Sequence, residues 1–305
     1  MCPKNIWSDN NKASSNKHMD ARQIFIIACA VVVIVAIALY HSFHATRETY
    51  KNATPATWSP RVAIVTAIYG NYDNLKAQHV HNADKVDWYC FTDNVHIKDE
   101  FGKWKIITTP YHLQNDRPEW KQYKNDYPNI RDDRTMNMMS AKYYKAQTHN
   151  IEILNHYDYY IWIDGSIFLR EGFIDKMLAH LKTNDLISFK HSKRENIKDE
   201  LDESVTMAKY HTQDLPDQYD AYIAAGFNDD IGLFENTIMA KRNIGYVNKL
   251  FDEWWIQNLE HSYQDQISYP FALWKTCERP YVIDENVFNN DTYSYTVWDL
   301  MKNTH

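Results

Sequence analysis

Five apolar or aromatic residues, Tyr159-Tyr-Ile-Trp-Ile163, run without a polar break into Asp164-Gly165-Ser166. A stretch this short with no wet side suits a strand buried on both faces, as in a parallel sheet covered by helices. Other segments carry the same signature. Arg61–Ile68 is a β-branched run ended by the turn chemistry of Tyr69-Gly70-Asn71-Tyr72-Asp73. Val86–Thr92, Trp104–Thr109 and Asp185–Lys190 read as further strands, and strand signal recurs at Thr237–Ala240. Helical composition appears at 134–149, 172–182, 245–260 and 264–275. The alternation predicts an α/β fold, with a mostly parallel sheet flanked by helices in one domain over residues 61–305.

Ahead of that domain, all 17 residues from Ile24 to Tyr40 are apolar or aromatic. Lys4, Lys12, Lys17 and Arg22 precede the run, which favours a cytoplasmic tail and an exported remainder. The expected plan is a tail at 1–22, a transmembrane anchor at 23–40 and a stem at 41–60. A cleaved signal peptide ending at Ala36-Ile37-Ala38 is the rival, and it too exports the domain. The sequons Asn52-Ala53-Thr54 and Asn290-Asp291-Thr292 are compatible with either.

Composition narrows the chemistry. Residues 1–60 carry six basic and three acidic groups, leaving 27 basic and 37 acidic, net −10, for the domain. That is a poor match to nucleic acid. The chain has seven glycines, and neither G-x-G-x-x-G nor G-x-x-x-x-G-K-[ST] occurs. Glycine-loop phosphate binding, as in dinucleotide enzymes and P-loop ATPases, is thereby excluded. Beyond the membrane only Cys90 and Cys277 remain; they permit one disulfide, with a buried free thiol the alternative at Cys90.

In open α/β sheets ligands sit at the carboxyl ends of strands, where Thr66–Gly70, Asp93 and Asp164 all fall. Asp164 could hold Mg²⁺ or Mn²⁺ with few protein oxygens, or simply cap a strand end. Arg134, Lys142 and Lys145 share one helix face, as a diphosphate clamp or as solvated surface. Ser262-Tyr-Gln-Asp265 reads as a capping box, or Asp265 as a general base facing an acceptor hydroxyl. Trp254-Trp255 reads as a sugar-stacking platform or as core.

These pieces, in order, resemble a known family. Val65–Asp73, Phe91-Thr-Asp93, Arg134…Lys142…Lys145, Ile161–Ser166, His191-x-x-Arg194, Trp254-Trp255 and Ser262–Gln266 are similar to the glycosyltransferase-like family of plant type II Golgi proteins of mucilage and cell-wall biosynthesis. The same family occurs in bacterial surface-polysaccharide clusters. The resemblance implies a GT-A-like fold that transfers sugar from a nucleotide-sugar donor to a glycan or glycoconjugate acceptor. It puts Thr66, Tyr69, Gly70 and Asp93 around the nucleotide, Arg134, Lys142 and Lys145 on the diphosphate, and Asp164 on a divalent cation. His191, Arg194, Glu200 and Gln266 fall among substrate-site residues, and Asp265 faces the acceptor. Two departures stand out: Asp164-Gly165-Ser166 offers one carboxylate where two are usual, and Gln264 stands where the family has Arg.

The expectation is a single-pass type II glycosyltransferase facing the Golgi or ER lumen, with Mn²⁺ or Mg²⁺ as the cation. An inactive carbohydrate-binding protein of the same fold is the alternative. A third reading is a hydrolase using Asp164 and Asp265 about 5–9.5 Å apart.

Overall fold

The computed structural model describes residues 58–109 and 133–296. The tail, the anchor at 23–40 and the stem up to residue 57 lie outside them, as does the polar stretch at 110–132. Among the described residues no helix is long and apolar enough to cross a membrane. Contacts divide the chain after Thr57, and the unit from Trp58 onward is the one built below.

Its centre is a seven-stranded sheet ordered β3-β2-β1-β4-β7-β6-β8. The strands are β1 (Val62–Ile68), β2 (Asp87–Thr92), β3 (Trp104–Thr108), β4 (Tyr159–Ile163), β6 (Leu186–Lys190), β7 (Phe234–Arg242) and β8 (Tyr281–Ile283). All run in one direction except β7, which is antiparallel to both its neighbours. Two short strands, β5 (Phe168–Leu169) and β9 (Ser294–Tyr295), pair separately. The helices are α1 (Asp133–Ala146), α2 (Phe173–Leu181), α3 (Ile197–Ser204), α4 (Leu215–Ala224), α5 (Gly245–Glu260) and α6 (Asp265–Thr276).

Alternation along the strands explains the two layers. Ala63, Val65 and Ala67 of β1, Tyr89 and Phe91 of β2, and Tyr160 and Trp162 of β4 pack with α1, α3, α4, α5 and α6. Their neighbours Ile64, Cys90, Ile161 and Ile163 face the other way, onto Phe173, Ile174, Met177 and Leu181 of α2. Every residue of β4 is buried, as a strand covered on both faces requires. Full burial of a side chain such as Ile161 stabilises the fold by about 1.5–3 kcal/mol.

The helix expected at 134–149 closes early, at Ala146. The buried Lys241 of β7 donates from Nζ to the Ala146 carbonyl at 3.3 Å, satisfying one helix-end acceptor, and Thr148–Asn150 is a 3-10 turn. β7 is longer than its sequence signal because the polar Glu235 and Asn236 hide its start. Between the pairs Ser188↔Met239 and Phe189↔Glu235 its register shifts, so β7 carries extra residues there. Such bulges re-aim side chains.

Cys90 is buried and Cys277 exposed, and both are free thiols. Burial, with the charge of Asp99, pushes the Cys90 thiol up to about 12. In a chain with Cys2 and Cys29 replaced by Ser, a thiol-exchange reagent should titrate Cys277 at once. Cys90 should react only after denaturation, and two fast thiols, or none, would contradict this packing.

Candidate functional site

Strand β1 has β2 on one side and β4 on the other, so the chain reverses its direction of winding there. The crevice outside the carboxyl ends of β1 and β4 is therefore the topological switch point. The turn after β1 is pinned over it. Gly70 N donates to both oxygens of Asp93, at 3.1 and 3.2 Å, and the Asn94 amide donates to Asn71 Oδ1 at 2.9 Å. Gly70 has φ +62°, and a Cβ there would lie 2.0 Å from Asn137 Nδ2 on α1. Only glycine fits that contact. Tyr69 is buried and stacks on Tyr144 at 5.8 Å. Thr66 is buried within β1, on the strand face shared with Ile64 and Ile68.

Below this turn lies a cluster of four charges. Lys142 and Lys145, one turn apart on α1, both reach Asp265 Oδ2, at 2.6 and 2.7 Å. Lys145 also lies 3.5 Å from Asp164 Oδ1, which accepts from Trp162 Nε1 at 2.6 Å. Burial alone would raise the Asp265 carboxyl, but the two lysines override it and hold it well below the usual carboxylate range. Burial pulls Lys142 down despite Asp265, whereas Lys145, between two carboxylates, is held above its ordinary value. The backbone of Arg134 lies in α1; its side chain is outside the described residues.

Both tryptophans are core. Trp254 is fully buried, its Nε1 donating to Ser268 Oγ at 3.0 Å and to the Asp265 carbonyl at 3.3 Å. Its ring centroid is 5.9 Å from Lys145 Nζ, so it backs the charge cluster instead of offering a face to sugar. Trp255 is 5% exposed and packs edge-on to Tyr143. The expected stacking platform is thus corrected: helix periodicity turns both rings inward from α5.

The capping box is also absent. α6 starts at Asp265 with Gln264 as its N-cap, and Ser262 Oγ donates instead to Gln218 Oε1 at 2.5 Å. Asp265 sits in the first helical turn, where the helix dipole favours a carboxylate. The hydrolase reading meets a difficulty in charge, because the Lys145 ammonium lies 3.5 Å from Asp164 and 2.7 Å from Asp265. A carboxyl held as low as that of Asp265 cannot serve as a general acid.

A second cluster lines a cleft of about 400 Å³ that includes His191, Arg194, Glu200, Glu235, Gln264 and Gln266. His191 Nδ1 accepts from the backbone of Lys193 and Arg194, at 3.2 and 3.0 Å. Its Nε2 faces Glu200 at 3.5 Å and Glu235 at 3.4 Å. Burial, aided by the charges of Arg194 and Lys193, brings the imidazole down to about 4, so it is neutral near pH 7. Arg194 donates from Nε to Glu200 at 2.5 Å. Gln264 donates to Glu200 at 2.7 Å and to Ser204 at 3.0 Å, and accepts from Tyr210 at 2.8 Å. With Arg194 on Glu200, glutamine at 264 leaves Glu200 paired.

The TOD1/MUCI70 glycosyltransferase-like domain family matches residues 41–301. The chain belongs to this family. No curated protein matches the sequence. A glycosyltransferase-like domain carries glycosyl transfer as its general activity, with sugar donor and acceptor as its ligands.

Two site residues escaped the sequence reading. Asp73 follows the β1 turn, and its Cβ would lie 3.1 Å from a Cβ at Gly165. The missing side chain at Gly165 is what lets Asp73 pack beside Asp164. Burial raises the Asp73 carboxyl to about 6, Lys76 opposing and Asp164 adding to the rise. Glu235 was hidden by its polar setting in β7. Its position in a turn-rich run gave Asp73 some signal; Glu235 gave none without the bulge.

Two expectations follow. Asp265→Asn should destabilise the fold by about 3–5 kcal/mol in urea unfolding, since it strips two lysines of their shared carboxylate. A cost below about 1 kcal/mol would mean the cluster is not coupled. For Asp73, a carboxyl raised from 3.8 to about 6 retains a proton in the native state that the unfolded chain has lost. Its contribution therefore falls as pH rises from about 4 to 6, by at most about 3 kcal/mol. Asp73→Asn should flatten that slope and raise the melting temperature at pH 7; an unchanged slope in melts across this window would contradict it.

Proposed function

We propose that this chain is a membrane-anchored glycosyltransferase of GT-A type, moving a sugar from a nucleotide-sugar donor to a glycan acceptor. Residues 23–40 would hold it as a type II protein with its domain in the Golgi or ER lumen. The reading rests on one observation above the others: Asp164, Lys142, Lys145 and Asp265 converge at the switch point between β1 and β4.

The charges there favour a cation-assisted reaction. Two lysines face two carboxylates, so the cluster is near neutral and cannot by itself offset a diphosphate. Asp164 is 38% exposed, with Oδ1 held by Trp162 and Lys145. Among the described residues no three His, Cys, Asp or Glu side chains gather as a metal cage. Asp164 with Asp73 beside it fits Mg²⁺ or Mn²⁺, which take one or two carboxylates and complete their shell with phosphate and water. Such an ion supplies Lewis-acid stabilisation of the leaving diphosphate. The Asp93-pinned turn borders the nucleotide, Lys142 and Lys145 orient toward the phosphates, and Asp265 fixes the two ammonium groups. His191, Arg194, Glu200 and Gln266 line the acceptor side.

The test is a panel of nucleotide sugars with the full-length protein, with and without Mn²⁺, reading release of nucleoside diphosphate. Release should depend on the cation and fall by about 10²-fold or more in Asp164→Asn and Lys145→Met. Nucleotide binding without release under any acceptor would instead favour a carbohydrate-binding protein. No nucleotide binding at all would overturn the proposal.

A further inference from the structure

We propose that Glu235 is the carboxylate that takes the proton from the acceptor hydroxyl, in place of Asp265, and that transfer therefore inverts the anomeric centre. The inference rests on the glycosyltransferase reading above.

Asp265 is badly suited to that task. One of its oxygens holds two ammonium groups, and a carboxylate so stabilised is a weak base. Glu235 lies one side chain away and differs in every relevant respect. Its Oε2 accepts from Gln266 Nε2 at 2.9 Å, and Gln266 directly follows Asp265. Its Oε1 accepts from Ser192 N at 3.3 Å and Ser192 Oγ at 3.1 Å. These donors are neutral, and so is the His191 imidazole at 3.4 Å. The other carboxylate of the cleft, Glu200, is committed to Arg194. Two oxygens offer about four acceptor positions, so Oε2 keeps acceptor capacity for a hydroxyl where the side chain, 4% exposed, lines the cleft.

The bulge in β7 explains how a strand residue reaches this place. Thr237 O accepts from Asp164 N at 2.9 Å, which ties β7 to the end of β4. Asn236 Nδ2 donates to the Asp265 carbonyl at 2.9 Å, which ties the same bulge to the start of α6. Glu235 comes next, at most about 7 Å of chain from Thr237, where it lines the cleft. It thus stands between Asp164 on the donor side and the open cleft on the other. Phe288, Asn286 and Asn289 also line the cleft, an apolar ring among amides that suits a sugar.

The step balances as a single displacement. The acceptor O–H bond breaks, its proton passing to Glu235 Oε2 as the oxygen bonds to the anomeric carbon. The anomeric C–O bond to phosphate breaks, and its electron pair leaves with the nucleoside diphosphate. Glu235 then releases the proton to solvent. His191, Arg194 and Glu200 are the titratable and charged groups that face it, from the segment after β6 and from α3. Burial and the charge of Glu200 raise the Glu235 carboxyl, the Ser192 bonds and the charge of Arg194 opposing, which moves it toward the working range of a base.

The test uses full-length protein and whichever donor supports turnover. Glu235→Gln should lower kcat by about 10²-fold or more while the nucleoside diphosphate Kd, read by calorimetry, stays within about two-fold. Formate should restore part of the rate to Glu235→Ala, and NMR of the wild-type product should show the anomeric configuration opposite to that of the donor. Retention in the wild-type product overturns the assignment even if the variants fail to fold. So does Glu235→Gln with kcat within about three-fold of wild type. A wild type that turns over no donor overturns the glycosyltransferase reading itself, and this assignment with it.

Discussion

The Asp265 carboxylate, one oxygen of which is shared by Lys142 and Lys145, is the constraint on which the rest of the site depends. It joins α1 to α6 across a buried gap, and through Lys145 it reaches Asp164 at the end of β4. Three elements far apart in sequence are thereby fixed by one group. Buried charges persist only when paired and hydrogen-bonded, so Lys145 and Asp265 cannot move independently. Trp162 and Trp254 close the cluster from the sides, their rings 5.6 and 5.9 Å from Lys145 Nζ. Lys145, 2% exposed between these rings, feels its neighbouring charges more strongly for being buried.

This neutrality changes the meaning of the basic stripe on α1. Read alone, three cations on one helix face are a ready anion clamp. In the folded domain two of them are balanced by carboxylates supplied from β4 and α6. In the proposed reaction a site so balanced would need added positive charge to admit a diphosphate, and Asp164 with Asp73 would hold the cation that brings it. The scarcity of glycine fits the same design. Instead of a flexible loop of backbone amides, a single glycine turn at Gly70 is braced by Asp93 and Asn137.

The fold was legible wherever burial imposed a clean period. β1, β4 and α5 match their sequence signals closely, because each is apolar on the faces it must bury. α3 and α4 were not read: Ile197–Ser204 is short and acidic, and its buried positions include Glu200 and Ser204. Of the candidate site, strand-end residues such as Asp93 and Asp164 were visible from topology alone, and Lys142, Lys145 and Asp265 were singled out one by one. What sequence could not give was their mutual pairing, which depends on α1 and α6 meeting. Trp254 and Trp255 misled for a related reason: an aromatic pair looks the same on paper whether it faces solvent or core. Glu235 was invisible because a register shift, not a motif, decides where it points.

The first turn of α6 joins the two halves of the site. Asp265 faces the lysines, while its neighbours Gln264 and Gln266 face Glu200 and Glu235 in the cleft. Asn236 and Trp254 both bind the Asp265 carbonyl, so the backbone between these side chains is clamped as well. The charge cluster and the cleft, which would be the donor and acceptor sides of the proposed reaction, are thus set by adjacent residues on one element. A transfer reaction needs its two substrates oriented to within fractions of an ångström. Glutamine at 264 serves that need: it bonds Glu200, Ser204 and Tyr210 at once, fixing the turn that presents Asp265. An arginine there would compete with Arg194 for Glu200, so Gln264 and the Arg194–Glu200 pair are two parts of one arrangement.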